Sequence, residues 1–262
     1  MKVSAVQLKV SSDESAANRL DAVRRAVTDE AARGADLVVL PEMWPVGYFA
    51  FDGYSEVAEP LQGPLASSLS ATAAAAGVHL AAGSMVERDG ELLYNTTLLF
   101  DRSGTLASSY RKIHLYGYGS KEQQVLTSGS DIVVADVDGV AVGLSTCYDL
   151  RFPELYRRMV DAGAEMFVVV AGWPFPRVDA WRCLARARAI ENQAGFVGCN
   201  AAGSQGRSTF AGSSVAFNAW GTPLGELDDR PGVLRVDVDP AEIRAARADF
   251  PALADRRLRE GT

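Results

Sequence analysis

The stretch VAVGLSTCYDLRFPELYRRMVDAGAEMFVVVA, Val140 to Ala171, decides how this chain folds. Its first seven residues form a short apolar run of the kind that makes a buried strand, and the run leads straight into Cys147. Pro153 then suits the first turn of a helix, where its missing N–H would have no acceptor and its φ is already helical. AEMFVVVA, ending at Ala171, is strand-length and rich in β-branched residues. The segment therefore reads strand, helix, strand.

Working outward, the alternation continues. VSAVQL (Val3 to Leu8) predicts a strand, and Ser12 or Asp13 caps an amphipathic helix ending near Arg33-Gly34. DLVVL (Asp36 to Leu40) is a buried strand that stops at Pro41-Glu42; a loop rich in Gly, Tyr and Phe runs to about Pro60, and an alanine-rich helix spans Pro64 to Ala76. VHLAAGSM, ELLYNTTLLF and TLASSYRKIHL are separated by turn signals at Arg88-Asp89-Gly90 and Asp101 to Gly104, which predicts sequential antiparallel strands and a mixed sheet. After a loop from Tyr116 to Ser130, DIVVADV and VAVGLST form a hairpin around Asp138-Gly139. Downstream come a helix from Val178 to Gln193, the strand GFVGCN, two or three short strands through Arg235 to Val238, and a helix after Asp239-Pro240. With no low-complexity linker, the order predicts one α/β sandwich domain over 1–262, with a C-terminal tail from about 249.

Composition removes several function classes. The chain has 262 residues and a formal net charge of -7, which argues against an electrostatic nucleic-acid binder. Hydrophobic residues at 48% and charged residues at 23% match a globular chain with a sizeable core. No apolar run approaches the ~18 residues of a membrane span. The start MKVSAVQLKVSSDES lacks the apolar core and cleavage site of a signal peptide, so a cytoplasmic location is expected. Three cysteines without CxxC spacing suggest neither a disulfide framework nor a zinc cluster, and no metal is expected.

Three reactive side chains fall at or near predicted strand ends: Glu42 after DLVVLP, Lys112 within SYRKIHL and Cys147 after VGLST. Strand ends leave side chains exposed at one rim of an α/β sheet, where ligand and catalytic groups collect. Cys147 stands out, because a strand-turn-helix setting presents a nucleophile at a helix N-terminus, whose dipole and N–H groups favour the thiolate. Cys183, inside a predicted helix, and Cys199, at a strand end, read as structural.

These residues sit in longer stretches: PEMWPVGY around Glu42, LYNTTLLFDRSG followed by YRKIHL around Lys112, STCYDLRFPELYR around Cys147, then RARAIENQ and FAGSS. Together they resemble the carbon-nitrogen hydrolase (nitrilase) superfamily over nearly the whole chain, and CYDLRFPE resembles its amidase side, omega-amidases in particular. The resemblance implies a four-layer α-β-β-α sandwich and a catalytic triad of Glu42, Lys112 and Cys147. It further implies a second active-site glutamate, for which Glu122 in KEQQVLTSG is the candidate. No organic cofactor is implied. Subunits of such proteins usually pair, so a homodimer or larger homo-oligomer is expected.

Amide hydrolysis needs a nucleophile, a base that can return a proton to the leaving amine, and donors for the developing oxyanion. Cys147, Glu42, and Lys112 with the Tyr148 N–H fill these roles in turn, giving a small primary amide as the expected substrate. Tyr48, Tyr148 and Trp173 are the expected substrate-binding residues, with Trp44, Phe49 and Phe51 as further walls. A substrate carboxylate would need a cation, for which Arg151, Arg177 and Arg182 are candidates. The short YGYGSKEQQ loop and the turn SQGRSTF, in place of a more usual acidic-glycine turn, depart from the omega-amidase pattern at the expected pocket rim.

Other readings stay open. A carbamoyl or nitrile hydrolase of the same superfamily would use the same triad. A cysteine-histidine pair could draw on His114, two residues beyond Lys112, or less naturally on His79. A nucleotide-binding α/β module or a scaffold is the non-enzyme alternative, although Gly117-Tyr118-Gly119 is the nearest thing to a phosphate loop.

Overall fold

The computed structural model describes residues 1–258. In chain order the elements are β1 (Lys2–Gln7), α1 (Ala16–Ala32), β2 (Leu37–Val39), α2 (Tyr54–Val57), α3 (Pro64–Ala76), β3 (His79–Asp89), β4 (Leu92–Phe100), β5 (Leu106–Arg111) and α4 (Glu122–Val125). They continue with β6 (Val134–Val137), β7 (Val140–Thr146), α5 (Pro153–Asp161), β8 (Met166–Ala171), α6 (Val178–Asn192) and β9 (Gly195–Asn200). The last are β10 (Ser204–Gln205), β11 (Ser208–Thr209), β12 (Val215–Phe217), β13 (Pro223–Glu226), β14 (Gly232–Asp237) and α7 (Pro240–Asp249).

Two six-stranded mixed sheets result, in the orders β14-β1-β2-β3-β4-β5 and β13-β12-β9-β8-β7-β6. In each, three central strands run parallel: β1, β2 and β3 in one, β7, β8 and β9 in the other. Antiparallel strands flank both triplets. The central parallel strands are the continuous apolar runs of the sequence, LVV and MFVVVA, as expected of strands covered on both faces. Val3, Ala5, Leu37 and Val39 of the first sheet meet Leu144, Val168, Val170 and Cys199 of the second in one inter-sheet core. Helices α1 and α3 cover the outer face of the first sheet through Val23, Val27, Leu69 and Ala73. Helices α5 and α6 cover the second through Leu155, Tyr156, Trp181 and Ala185. The layers are thus α-β-β-α.

Several boundaries differ from the sequence reading. Helix α1 is capped by Ser15, whose Oγ accepts from Asn18 N at 3.1 Å, and not by Ser12 or Asp13. The buried Arg19 side chain donates back to the carbonyls of Ser11 and Glu14, which fixes those residues as a turn. Strand β5 stops at Arg111, so Lys112 follows the strand. The loop after it contains the one-turn helix α4, and five short strands, not two or three, follow β9. Two-residue strands such as β10 and β11 are too short to show a period. The tail packs Leu253 against the α5–α6 core and pairs Arg256 with Asp161, while its end, 259–262, lies outside the described residues.

Among the described residues, no helix is long and apolar enough to cross a membrane.

Candidate active site

Cys147 follows β7 directly and begins a tight 3-10 turn over Cys147–Arg151. Its φ of 48° is left-handed, a conformation that costs a non-glycine residue roughly 1–2 kcal/mol and has to be enforced by its surroundings. Asp149 does the enforcing. Its fully buried carboxylate accepts from Thr146 N at 2.9 Å and the Tyr110 hydroxyl at 2.7 Å on one oxygen, and from His114 N at 3.0 Å and His114 Nδ1 at 2.8 Å on the other. One side chain thereby ties the cysteine turn to the segment carrying Lys112.

Glu42 reaches the same place from β2. Met43, the next residue, is also left-handed, with φ 50°. The chain can turn here because Gly83, with φ +68°, interrupts the β3–β4 register, and a Cβ on it would lie 2.1 Å from the Pro41 carbonyl oxygen. Glu42 Oε1 accepts from Lys112 Nζ at 2.9 Å and Asn95 Nδ2 at 2.8 Å, and Oε2 accepts from Gly172 N at 2.8 Å. Lys112 Nζ donates on the other side to Glu122 Oε1 at 2.9 Å and Oε2 at 3.0 Å. Glu122 also accepts from Asn95 Nδ2 at 3.2 Å, Tyr48 OH at 3.1 Å and Tyr116 N at 2.6 Å.

Glu42, Lys112 and Glu122 have no side-chain exposure, so their charges must compensate one another. Burial alone would strip the proton from Lys112, but the charges of Glu122 and Glu42 outweigh it and hold the ammonium well above its usual range. Burial and then the Glu42 charge push the Cys147 thiol well up, against the pull of Lys112. The expectation of a thiolate favoured by a helix N-terminus is therefore corrected. Cys147 heads a short 3-10 turn beside two carboxylates, and the resting group is the thiol.

Of the four residues, Cys147 alone lines a cavity of about 350 Å³. Tyr48, Tyr148 and Trp173 line it, together with Phe49, Arg151 and Arg177. Trp44 is instead buried behind the site, its Nε1 donating to Ala82 O at 2.9 Å, and Phe51 packs against Tyr48 without lining the cavity. Arg182 is committed elsewhere, to Glu226 at 2.5 Å. His114 stacks on Phe152 and bonds Asp149, and His79 meets Asp138 at 2.9 Å, so neither histidine is partnered with Cys147. Cys199 is buried between the sheets with its thiol against the Val6 and Val39 carbonyls, and Cys183 is exposed on α6.

Sequence reasoning missed Asn95, Gly172, Asp149 and Arg207. Asn95 carried a signal, a lone amide inside the buried run LLYNTTLLF that donates to both glutamates. Gly172 acts through its N–H, which leaves no mark on residue type. Arg207, also on the cavity wall, lies in the SQGRSTF turn that departs from the family pattern.

The chain is similar to known proteins over nearly its whole length. A 2-oxoglutaramate amidase of Paenarthrobacter nicotinovorans is 35% identical over 265 residues, covering 98% of this chain and 90% of that protein. A carbon-nitrogen hydrolase superfamily protein from Xanthomonas campestris, solved with an arsenic adduct in its active site, superposes with a TM-score of 0.91 at 29% identity, covering 99% of this chain and 98% of that one. A Glu-to-Gln mutant of a Nesterenkonia amidase, solved with the acetamide moiety of fluoroacetamide added covalently at its active-site cysteine, has a TM-score of 0.87 at 28% identity and covers 98% and 94%. The family model for carbon-nitrogen hydrolases matches residues 2–248, a span that holds both sheets and all four residues of the buried cluster, and the chain belongs to that family.

Proposed function

We propose that this chain is an amidase that hydrolyses a small ω-monoamide acid to the free diacid and ammonia through a thioester on Cys147. One observation carries the reading: a buried ammonium, Lys112, is held between Glu42 and Glu122 beneath a cavity onto which Cys147 opens.

Glu42 takes the thiol proton as Cys147 Sγ attacks the amide carbon. The oxyanion is met by the Tyr148 N–H, which lies in the first turn after the nucleophile, where N–H groups have no intrahelical acceptor. Lys112 supplies the second donor; its paired contacts with Glu122 can be served by one N–H, which leaves another free to turn. Glu42 then returns the proton to the departing nitrogen, and ammonia leaves. A water deprotonated by the same carboxylate attacks the thioester, the carboxylic acid departs, and the thiol is restored. Glu122 keeps Lys112 charged and, with Asn95, keeps Glu42 in place.

The acid end of the substrate is supported by the cavity wall, where Arg151, Arg177 and Arg207 have no carboxylate partner among the described residues. The relative named as a 2-oxoglutaramate amidase supports the same class. The test is ammonia release from short aliphatic amides, ω-monoamides with and without a 2-oxo group, N-carbamoyl amino acids and nitriles, with Cys147→Ala as control. Cysteine-dependent turnover highest on an ω-monoamide is expected. Turnover highest on a carbamoyl compound or a nitrile would replace the substrate class, and an equally active Cys147→Ala would overturn the mechanism.

A further inference from the structure

The cavity wall carries three guanidinium groups and no carboxylate, in a chain whose net charge is -7. Two of the three already face aromatic rings of that wall. Arg151 lies 4.9 Å from the Trp173 ring centroid, and Arg177 lies 5.5 Å from that of Tyr116 and 5.9 Å from that of Tyr118. Such cation–π contacts partly satisfy the charge. Arg207 has no ring, carboxylate or carbonyl partner among the described residues, and it is exposed.

Its position is nevertheless built. Arg207 sits at the tip of the β10–β11 hairpin, and Gln205, two residues earlier, is docked onto the loop that follows Glu42. Gln205 Oε1 accepts from Phe49 N at 2.9 Å, and its Nε2 donates to Val46 O at 3.3 Å. The docking depends on Gly47, with φ +86°, where a Cβ would come within 2.4 Å of Gln205 Nε2. Gly206 N donates to Ser12 Oγ at 3.2 Å, and just beyond the hairpin Phe210 bridges to Pro174. The hairpin is fixed on both flanks, with its cation at the rim of the cavity and Cys147 on its wall.

Resting on the ω-monoamide reading above, we propose that Arg207 is the residue that selects the substrate's distal carboxylate. The substrate would lie with its amide at Cys147 and its acid at the rim, where an exposed guanidinium loses little hydration on pairing. Gln205 acts through the hairpin as a positioning residue.

The experiment compares kcat/KM for glutaramate with that for pentanamide, a neutral amide of the same chain length. In the wild type the acid is preferred. Arg207→Ala should lower that preference about tenfold or more, chiefly through KM for the acid, as expected for loss of a hydrogen bond between charged groups. Arg207→Lys should keep part of it, Arg207→Glu should lower it further, and Gln205→Ala should lower it less than Arg207→Ala. A preference that survives Arg207→Ala within twofold, or that is lost instead in Arg151→Ala or Arg177→Ala, overturns this assignment and leaves the proposed function standing. A wild type that favours pentanamide overturns both.

Discussion

Replacing Glu42 by Gln keeps the shape of the side chain and removes the charge. Asn95 Nδ2 and Lys112 Nζ both donate to Oε1, so the new carbonyl must face them. The new NH2 then faces the Gly172 N–H, which now donates to Oε2 at 2.8 Å, and two donors oppose each other. Leaving that buried donor unsatisfied costs about 1–3 kcal/mol, or roughly 2–6 °C in melting temperature for a chain of this size. Removing the base costs turnover about 10²–10⁴-fold. The thiol moves the other way, because the Glu42 charge is one of the causes that hold its pKa up. The assay is iodoacetamide labelling of Cys147 against pH, read peptide by peptide because Cys183 is also accessible, beside ammonia release. Labelling of Cys147 should begin at lower pH in Glu42→Gln while hydrolysis collapses. A turnover loss below tenfold, or a labelling midpoint that rises, refutes the assignment of Glu42 as the base.

Lys112→Met leaves two buried carboxylates facing each other without the ammonium, and should cost about 3–5 kcal/mol in urea unfolding; a loss under about 1 kcal/mol would contradict the charge balance. Alkaline pH should weaken the fold. Cys147 and Lys112 hold their protons more tightly folded than unfolded, so their contribution is complete below the unfolded values of about 8.5 and 10.4 and is lost as pH rises toward the folded ones. Melting temperature followed from pH 7 to 10.5 should fall less in Cys147→Ala than in the wild type, and parallel curves would refute the thiol's share. Gly83→Ala should cost roughly 2 kcal/mol or more, from the left-handed φ and the contact with Pro41 O, and should lower kcat by displacing Glu42. Thermal melts and initial rates check this, and a variant with wild-type kcat would show that the Pro41 turn does not set the Glu42 position.

The buried strands were legible because parallel strands covered on both faces must be continuously apolar, and LVV and MFVVVA have no other reading at that length. Glu42 and Cys147 drew notice because each follows a strand and Lys112 because it lies near a strand end, but singly such residues are common, and it was the resemblance that joined the three into a triad. Glu122 was legible only through the resemblance, since its place depends on a four-residue helix and on the N–H of Tyr116. For Arg207 only its segment, SQGRSTF, could be placed at the rim: two strands of two residues carry no period, and what holds the hairpin is Gln205 against Gly47, a contact between segments more than 150 residues apart. The acidity of Cys147 was misread for a related reason. A helix N-terminus is visible in sequence, whereas the burial of the thiol and the Glu42 charge brought beside it from another strand are not, and here burial comes first and that charge second.

The raised thiol is not an obstacle to the proposed chemistry but a consequence of how charge is distributed in it. With Lys112 protonated and both glutamates ionised, the buried cluster carries one net negative charge beside a neutral thiol. Forming a thiolate in advance by loss of a proton to solvent would place a second negative charge in the same dry site, which burial and Glu42 both oppose. Passing the proton to Glu42 during attack leaves the total unchanged. The negative charge that Glu42 gives up reappears on the substrate oxygen, where an ammonium that has lost half of its counter-charge can turn to meet it. On this account Lys112 needs two carboxylates because one must keep it charged while the other is protonated. Glu122→Gln should then slow acylation and deacylation alike, because in each step Glu42 takes a proton while an oxyanion forms and Lys112 must stay charged to meet it. Single-turnover decay of an acyl-enzyme made from an activated ester tests this. If the thioester in Glu122→Gln decays as fast as in the wild type, Lys112 does not need the second carboxylate and the account fails.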